Sequence, residues 1–289
     1  MDVRLDEMLR TVWTWSSNGT VPVGWQPIYQ QLYAEDEEGL GDDVELLSEP
    51  TQAGLILKIE SKRKHKGEGG EQRGYHFFCH PDFAGEAKYR VVLRTADQRT
   101  ALALMELIVP TMVDAGGAFA GVHSAKVITA EAYEAGRKDL IVVYANDLET
   151  QEAVVAKIRA YRSMGRFGDP CFRDPLPVGI KKLAKGVGTA SQPPAIPIIQ
   201  GTGGVSYGKF LAQVVDIALR TAVAIHKTPL KSEDFRKTAK AVLRMAGINP
   251  KFPDAISQMA IDFTLFGTLN TENEELKPQW VESVERALA

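Results

Sequence analysis

At 289 residues, with 44% hydrophobic and 25% charged side chains, the chain has the composition of an ordinary folded protein, with room for one large domain or two small ones. Its formal net charge of -3 argues against a general nucleic-acid binder, which needs a basic excess to neutralise phosphates, so any basic site must be local. Cys79 and Cys171 lack CxxC spacing and suit neither a disulfide framework nor a zinc site; with no signal-like start and no apolar run approaching ~20 residues, the expected setting is a reducing cytoplasm without a membrane span.

Residues 2–16 place Val3, Leu5, Met8, Leu9, Val12 and Trp13 at helical spacing, and Ser17-Asn18-Gly19 supplies a stop. PIYQQLYAEDEEG, from Pro27, reads as a second helix, so a helical region over 1–50 is expected ahead of an α+β domain over 51–289. The period then changes. AGLILKIE and YHFFCH predict two strands around a charged, glycine-containing turn, and KYRVVLRT predicts a third, together an antiparallel meander. DQRTALALMELIVPTMVDAG is a helix that Pro110 kinks or ends. VHSAKVI and DLIVVYA follow as strands, then a helix from about Glu149 to Ser163. Residues 165–204, rich in Gly and Pro, predict an extended, irregular surface segment. Three helices close the chain: one over about 206–226, one over 232–246 and one after Pro253. The fold class is α+β, a mainly antiparallel sheet flanked by helices, with helical regions at both ends.

Most short motifs carry little chemistry. In GGVSYGK, Gly203, Gly208 and Lys209 meet part of a P-loop pattern, but Phe210 stands where a Ser or Thr would hold magnesium; a glycine loop with Ser206 capping the next helix is the plainer reading. SKRKHKGEGGEQR, Ser61 to Arg73, suits a solvated hairpin tip better than an acidic-peptide site. The five histidines have no metal-binding spacing, and neither a GxSxG elbow nor a Cys-His signature is present. In YHFFCH, alternation sets His76, Phe78 and His80 on one face and Tyr75, Phe77 and Cys79 on the other.

The cations on strands are harder to dismiss. Lys126 interrupts a β-prone run, where a half-buried lysine is costly unless it reaches water or an anion. Lys88, Arg90 and Val92 share one face of KYRVVLRT, and Arg137 directly precedes another strand. Each alone reads as surface; together they form a site only if their strands are neighbours, which the sequence does not establish.

The order of these features carries a resemblance: a K-x-R strand, a helix, the strand with Lys126, AKVITAEAYEAGR ending at Arg137, a strand ending at Tyr144, then PCFRDPLPVGIKKLAKGVGTASQPP and SYGKFLAQVVDIAL. Over about Tyr75 to Ala224 the chain resembles the HopA-type bacterial type III effector family, which is similar in fold to the phosphothreonine lyases and includes lyase components of lanthipeptide and thioamitide biosynthesis. The resemblance implies a phosphothreonine-lyase-like fold and a cofactor-independent, metal-free lyase. It makes Lys126 similar to the lyase base and Arg137 to a phosphate-binding arginine. Lys88-Tyr89-Arg90 matches the lyases' K-x-H strand, with the lysine kept and Arg90 in place of the histidine proposed as general acid; His76 or His123 then takes that role, or none is needed. Arg173, with Lys181, Lys182 and Lys185, is a weaker candidate for a further phosphate contact.

The chemistry has its own logic. β-Elimination from phosphoserine or phosphothreonine needs a base at the α-carbon and cations on the departing phosphate, and a lysine serves at neutral pH only if burial or nearby cations bring its pKa down from ~10.4. The expected function is a phospho-Ser/Thr lyase forming dehydroalanine or dehydrobutyrine in a ribosomal precursor peptide. Because the chain has no VAIK, HRD or DFG signature, a separate kinase would phosphorylate that peptide. The alternatives are a non-catalytic, effector-like interaction module and a phosphopeptide-binding subunit.

Overall fold

The computed structural model of the chain describes residues 1–33, 46–63, 69–72, 74–82, 87–113, 116–193, 207–261 and 276–289. Gly203, Ser206 and residues 64–68 and 73 of the Ser61–Arg73 run lie outside them. The chain divides into two units, Met1–Leu32 with Ser191–Ala289, and Tyr33–Ala190. The first unit joins the two ends of the sequence, a division different from the expected boundary at residue 50. Sequence signals mark where an element ends, whereas this division depends on which distant helix the N-terminal helix packs against.

Unit Tyr33–Ala190 is built on a seven-stranded sheet: β1 (Gly69–Gln72), β2 (Tyr75–Cys79), β3 (Tyr89–Leu93), β4 (Val122–Ile128), β5 (Ile141–Ala145), β6 (Lys181–Ala184) and β7 (Val187–Ser191). Their order is β1-β2-β4-β5-β3-β7-β6, not the expected meander, because β2 pairs with β4 and β3 with the far side of β5. All of β5 and most of β3 and β4 are buried, and strands apolar on both faces belong in the middle of a sheet. The α+β class with a large antiparallel sheet is as the sequence indicated.

One sheet face carries the main core. Ala125 and Val127 of β4, Ile141 and Val143 of β5, and Val91 and Leu93 of β3 pack against helices α3 (Glu49–Ser61), α4 (Gln98–Ile108) and α6 (Leu148–Ser163). Each buried Leu or Ile contributes ~1.5–3 kcal/mol, so this face supplies most of the unit's hydrophobic stabilisation. Helix starts are set by side-chain caps, with Asp97 accepting from Thr100 N at 2.6 Å and Asp147 from Thr150 N at 2.7 Å. Pro110 ends α4, and the chain leaves through a single 3-10 turn, Val109–Thr111.

Three expectations need correction. AGLILKIE, expected as a strand, lies in α3: Pro50 stands in the first turn, and Leu55, Ile56 and Ile59 share a helical face against the core. The 165–204 stretch is not wholly irregular, since β6 and β7 form a hairpin within it. Gly186 makes that turn possible, with φ +62° and a backbone so close to its neighbours that a Cβ would meet Arg94 O, Phe172 Cβ at 2.8 Å and Arg173 O at 2.9 Å. Gly186→Ala is expected to destabilise the protein by more than about 2 kcal/mol in urea unfolding, combining backbone strain with overpacking. Third, the closing helix expected after Pro253 begins only at Pro278, and Phe252–Ile261 is a strand.

In the other unit, α1 (Val3–Trp15) stops at Ser17-Asn18-Gly19 as expected, and those residues are left-handed, with Ser17 at φ 47°, Asn18 at φ 61° and Gly19 at φ 85°. It also holds α7 (Tyr207–His226), α8 (Ser232–Met245), a hairpin of Ala246–Asn249 with Phe252–Ile261, and the helix Pro278–Leu288. Asp6 of α1 receives Arg236 Nε of α8 at 2.7 Å, and the Trp13 indole donates to Leu230 O at 2.9 Å. Fully buried Trp280 bonds Thr221 Oγ1 of α7 at 2.8 Å. Gly208 and Lys209 are helical, and Lys209 lies over the Trp25 ring, 5.0 Å from its centroid.

Candidate active site

Strand alternation sends Arg90 and Val92 of β3, Ser124 and Lys126 of β4, and Val142 and Tyr144 of β5 to the sheet face opposite the main core. There Val92, Val142 and Tyr144 pack with Leu176, Ile180 and Ala190 in a small apolar cluster. The register lays out two rows across the three strands: Ser124, Tyr144 and Arg90 in one, Lys126, Val142 and Val92 in the next. Lys126 and Arg90 therefore face the same side from β4 and β3, with β5 between them. Both are buried, 6% and 2% exposed respectively.

Lys126 also pairs with Phe77 of β2, and its ammonium sits over two aromatic rings, 3.5 Å from the Tyr75 centroid and 5.8 Å from that of Phe77. The Tyr75 hydroxyl donates to Asp139 Oδ1 at 2.5 Å, and Arg137 Nε donates to the same oxygen at 3.3 Å. Arg137 and Asp139 arrive on the connection between the neighbouring strands β4 and β5, which contains the short helix α5 (Ala130–Glu134), capped by Thr129. Burial lowers the Lys126 pKa from 10.5 to about 7; Asp139 opposes that shift, and Arg137 and Arg90 reinforce it. A buried amine with its pKa brought down toward neutrality thus lies within electrostatic reach of two guanidinium groups.

The remaining candidates are placed differently. Lys88 immediately precedes β3, exposed, with its backbone N bonded to Ala145 O at 3.0 Å; by alternation it belongs to the Arg90 side. Arg173 lies beside Arg94, its N bonded to Arg94 O at 3.0 Å, at the opposite end of β3 from Arg90. Lys182 is paired with Asp174 at 2.6 Å. The structure does not bring His76 to Lys126. Its ring packs on Phe78 with centroids 4.8 Å apart, and Nε2 is 3.8 Å from Glu60 of α3, on the main-core face. Burial lowers its pKa against the opposing pull of Glu60, so the ring is mainly neutral near pH 7. Accordingly, His76→Ala is expected to leave turnover essentially unchanged while lowering stability, which parallel rate and unfolding measurements would check.

His123 sits at a β-bulge, between the pairs Val122↔Ala145 and Ser124↔Tyr144, and its Nδ1 is 3.0 Å from Ser124 Oγ. Tyr75 and Asp139 were not singled out by sequence. The one available signal was Asp139 placed two residues after Arg137, ahead of an apolar strand.

Fold and site define an α+β protein with a cationic, tyrosine-backed cluster on one face of an antiparallel sheet. The chain belongs to the HopA1 effector protein family, whose family model matches residues 72–254. Solved structures share its fold, among them two bacterial effector proteins. One, the effector protein from Pseudomonas syringae pv. tomato strain DC3000, is 15% identical with a TM-score of 0.58, covering 86% of this chain and 97% of its own. The other, the effector protein from Pseudomonas syringae pv. syringae strain 61, is 13% identical with a TM-score of 0.58, covering 88% and 96%. No curated protein matches the sequence significantly. Among the described residues, no helix is long and apolar enough to cross a membrane.

Proposed function

We propose that the protein is a phosphoserine/phosphothreonine lyase that eliminates phosphate from a ribosomal precursor peptide phosphorylated by a separate kinase. The observation that carries this reading is a buried Lys126 with a pKa of about 7, near Arg137 and Arg90. A lysine with an ordinary pKa is almost entirely protonated at pH 7 and cannot accept a proton; a pKa lowered to about 7 makes the free amine accessible near neutrality.

In the reaction, the Lys126 Nζ lone pair takes the α-proton, and the Cα–H electron pair becomes the Cα=Cβ double bond. The Cβ–O bond breaks with its electrons on the departing phosphate. Arg90 and Arg137 hold that phosphate through charge-assisted hydrogen bonds, and Lys88 adds positive charge from the end of β3. The proton now on Nζ returns to phosphate or solvent. Binding by several cations makes phosphate a good enough leaving group that Arg90 in place of a histidine acid does not stop the reaction.

The same replacement favours the second reading, an interaction module that binds without catalysing. Mass spectrometry of a phosphoserine or phosphothreonine precursor peptide separates the two. Loss of phosphoric acid with wild-type protein and none with Lys126→Ala supports the lyase. An unchanged phosphopeptide, even with the kinase present, removes it.

A further inference from the structure

Lys126 sits on a ring rather than on a carboxylate. Its ammonium lies 3.5 Å from the Tyr75 centroid, close for a cation on a ring face, and the Arg137 guanidinium carbon is 4.9 Å from the same centroid. The ring itself is fixed. Tyr75 is 3% exposed, pairs with Ile128 in the sheet, and donates its hydroxyl to Asp139 Oδ1, the oxygen that also receives Arg137 Nε. One aromatic ring thereby gathers two cations, and one carboxylate oxygen gathers the phenol and the guanidinium.

Building on the lyase reading, we propose that Tyr75 is the positioning residue of this site: its ring face seats the Lys126 amine, and its hydroxyl, bound to Asp139, ties that seat to Arg137. A lysine side chain has a long, freely rotating stem, and a base must be held at one point relative to the α-carbon. Phe77 on the same strand is farther away, so the Tyr75 ring does most of this holding.

The ring also acts on charge. Its electron-rich face attracts an ammonium far more strongly than a neutral amine, so it favours the state that Lys126 reaches as it takes the proton. The charged groups around Nζ are Asp139 and Arg137 from the connection before β5 and Arg90 from β3. Burial and the two arginines work against the ammonium, while Asp139 and the ring work for it. Removing the ring alone should make Lys126 more acidic.

The test reads Lys126 directly by pH titration of its 13Cε NMR signal in the full chain, assigned by its disappearance in Lys126→Met. Wild type is expected to titrate near pH 7. Tyr75→Leu should titrate about one pH unit lower or more, whereas Tyr75→Phe, which keeps the ring, should stay nearer to wild type. A Tyr75→Leu protein titrating with wild type overturns the proposal. If that variant does not fold, a ring-fluorinated phenylalanine at position 75 decides: it keeps the shape but drains the ring face, and an unchanged titration relative to Tyr75→Phe overturns the proposal equally. Because the readout needs no turnover, wild-type protein that fails to eliminate phosphate would remove the lyase reading and still leave this titration to decide Tyr75's part. Where elimination does occur, the acid limb of kcat/KM should move with the titration.

Discussion

Lys126→Ala should abolish elimination, lowering turnover by at least about 10²–10⁴-fold, the usual contribution of a positioned general base. The loss should fall on kcat and kcat/KM together, because the amine acts on the reacting proton rather than on the phosphate. Phosphopeptide affinity should change little, since Arg90 and Arg137 remain. The wild-type pH profile carries the same signature. Below pH 7 Lys126 is protonated and cannot accept the α-proton, so kcat/KM should fall about tenfold per pH unit as pH drops and level off above the pKa of about 7. The substrate phosphate has its second ionisation near pH ~6, so the limb should steepen below that point. Retention of wild-type rates by Lys126→Ala would show that this amine is not the base.

The sequence went furthest where chemistry conflicted with local pattern. A lysine in VHSAKVI is out of place in a buried strand, and that conflict drew attention to Lys126 before the family resemblance gave it a role. Arg90 was placed with Val92 on one face of its strand by alternation, and the packing of Val92 opposite the main core agrees with it. Parity also separated His76 from Tyr75 and Phe77, but it could not say which of those faces held Lys126 until the pairing Phe77↔Lys126 was known. Strand order was the missing information. That β2 lies beside β4 and β3 beyond β5 is decided by burial across the whole sheet, and no local window encodes it. Asp139 and Tyr75 were invisible for the same reason, since their contact joins residues 64 positions apart. In α3 and in Phe252–Ile261 the difficulty was one of period: a short apolar run fits helix and strand alike, and packing partners decide between them.

Lys126→Met should make the protein more stable, by an amount that depends on pH. A lysine whose folded pKa lies below its unfolded value binds fewer protons when folded, and stability rises with pH wherever the unfolded chain binds more. Between about 7, the folded value, and 10.5, the unfolded one, the unfolded chain takes up the proton that the buried site refuses. The cost of burying Lys126 is therefore fully present below pH 7 and is relieved as pH climbs toward 10.5. Methionine has similar length and no charge, so its advantage over lysine should be largest in acid and shrink by about 3 kcal/mol between pH 6 and pH 9. Urea unfolding of both proteins at the two pH values measures this, and other titrating groups cancel in the difference. A pH-independent gap between the two proteins would mean that Lys126 holds its proton when folded, and would remove both the neutral amine and the base built on it. The expected combination, greater stability with lost turnover, is what a functional charge kept in a place unfavourable for folding should produce.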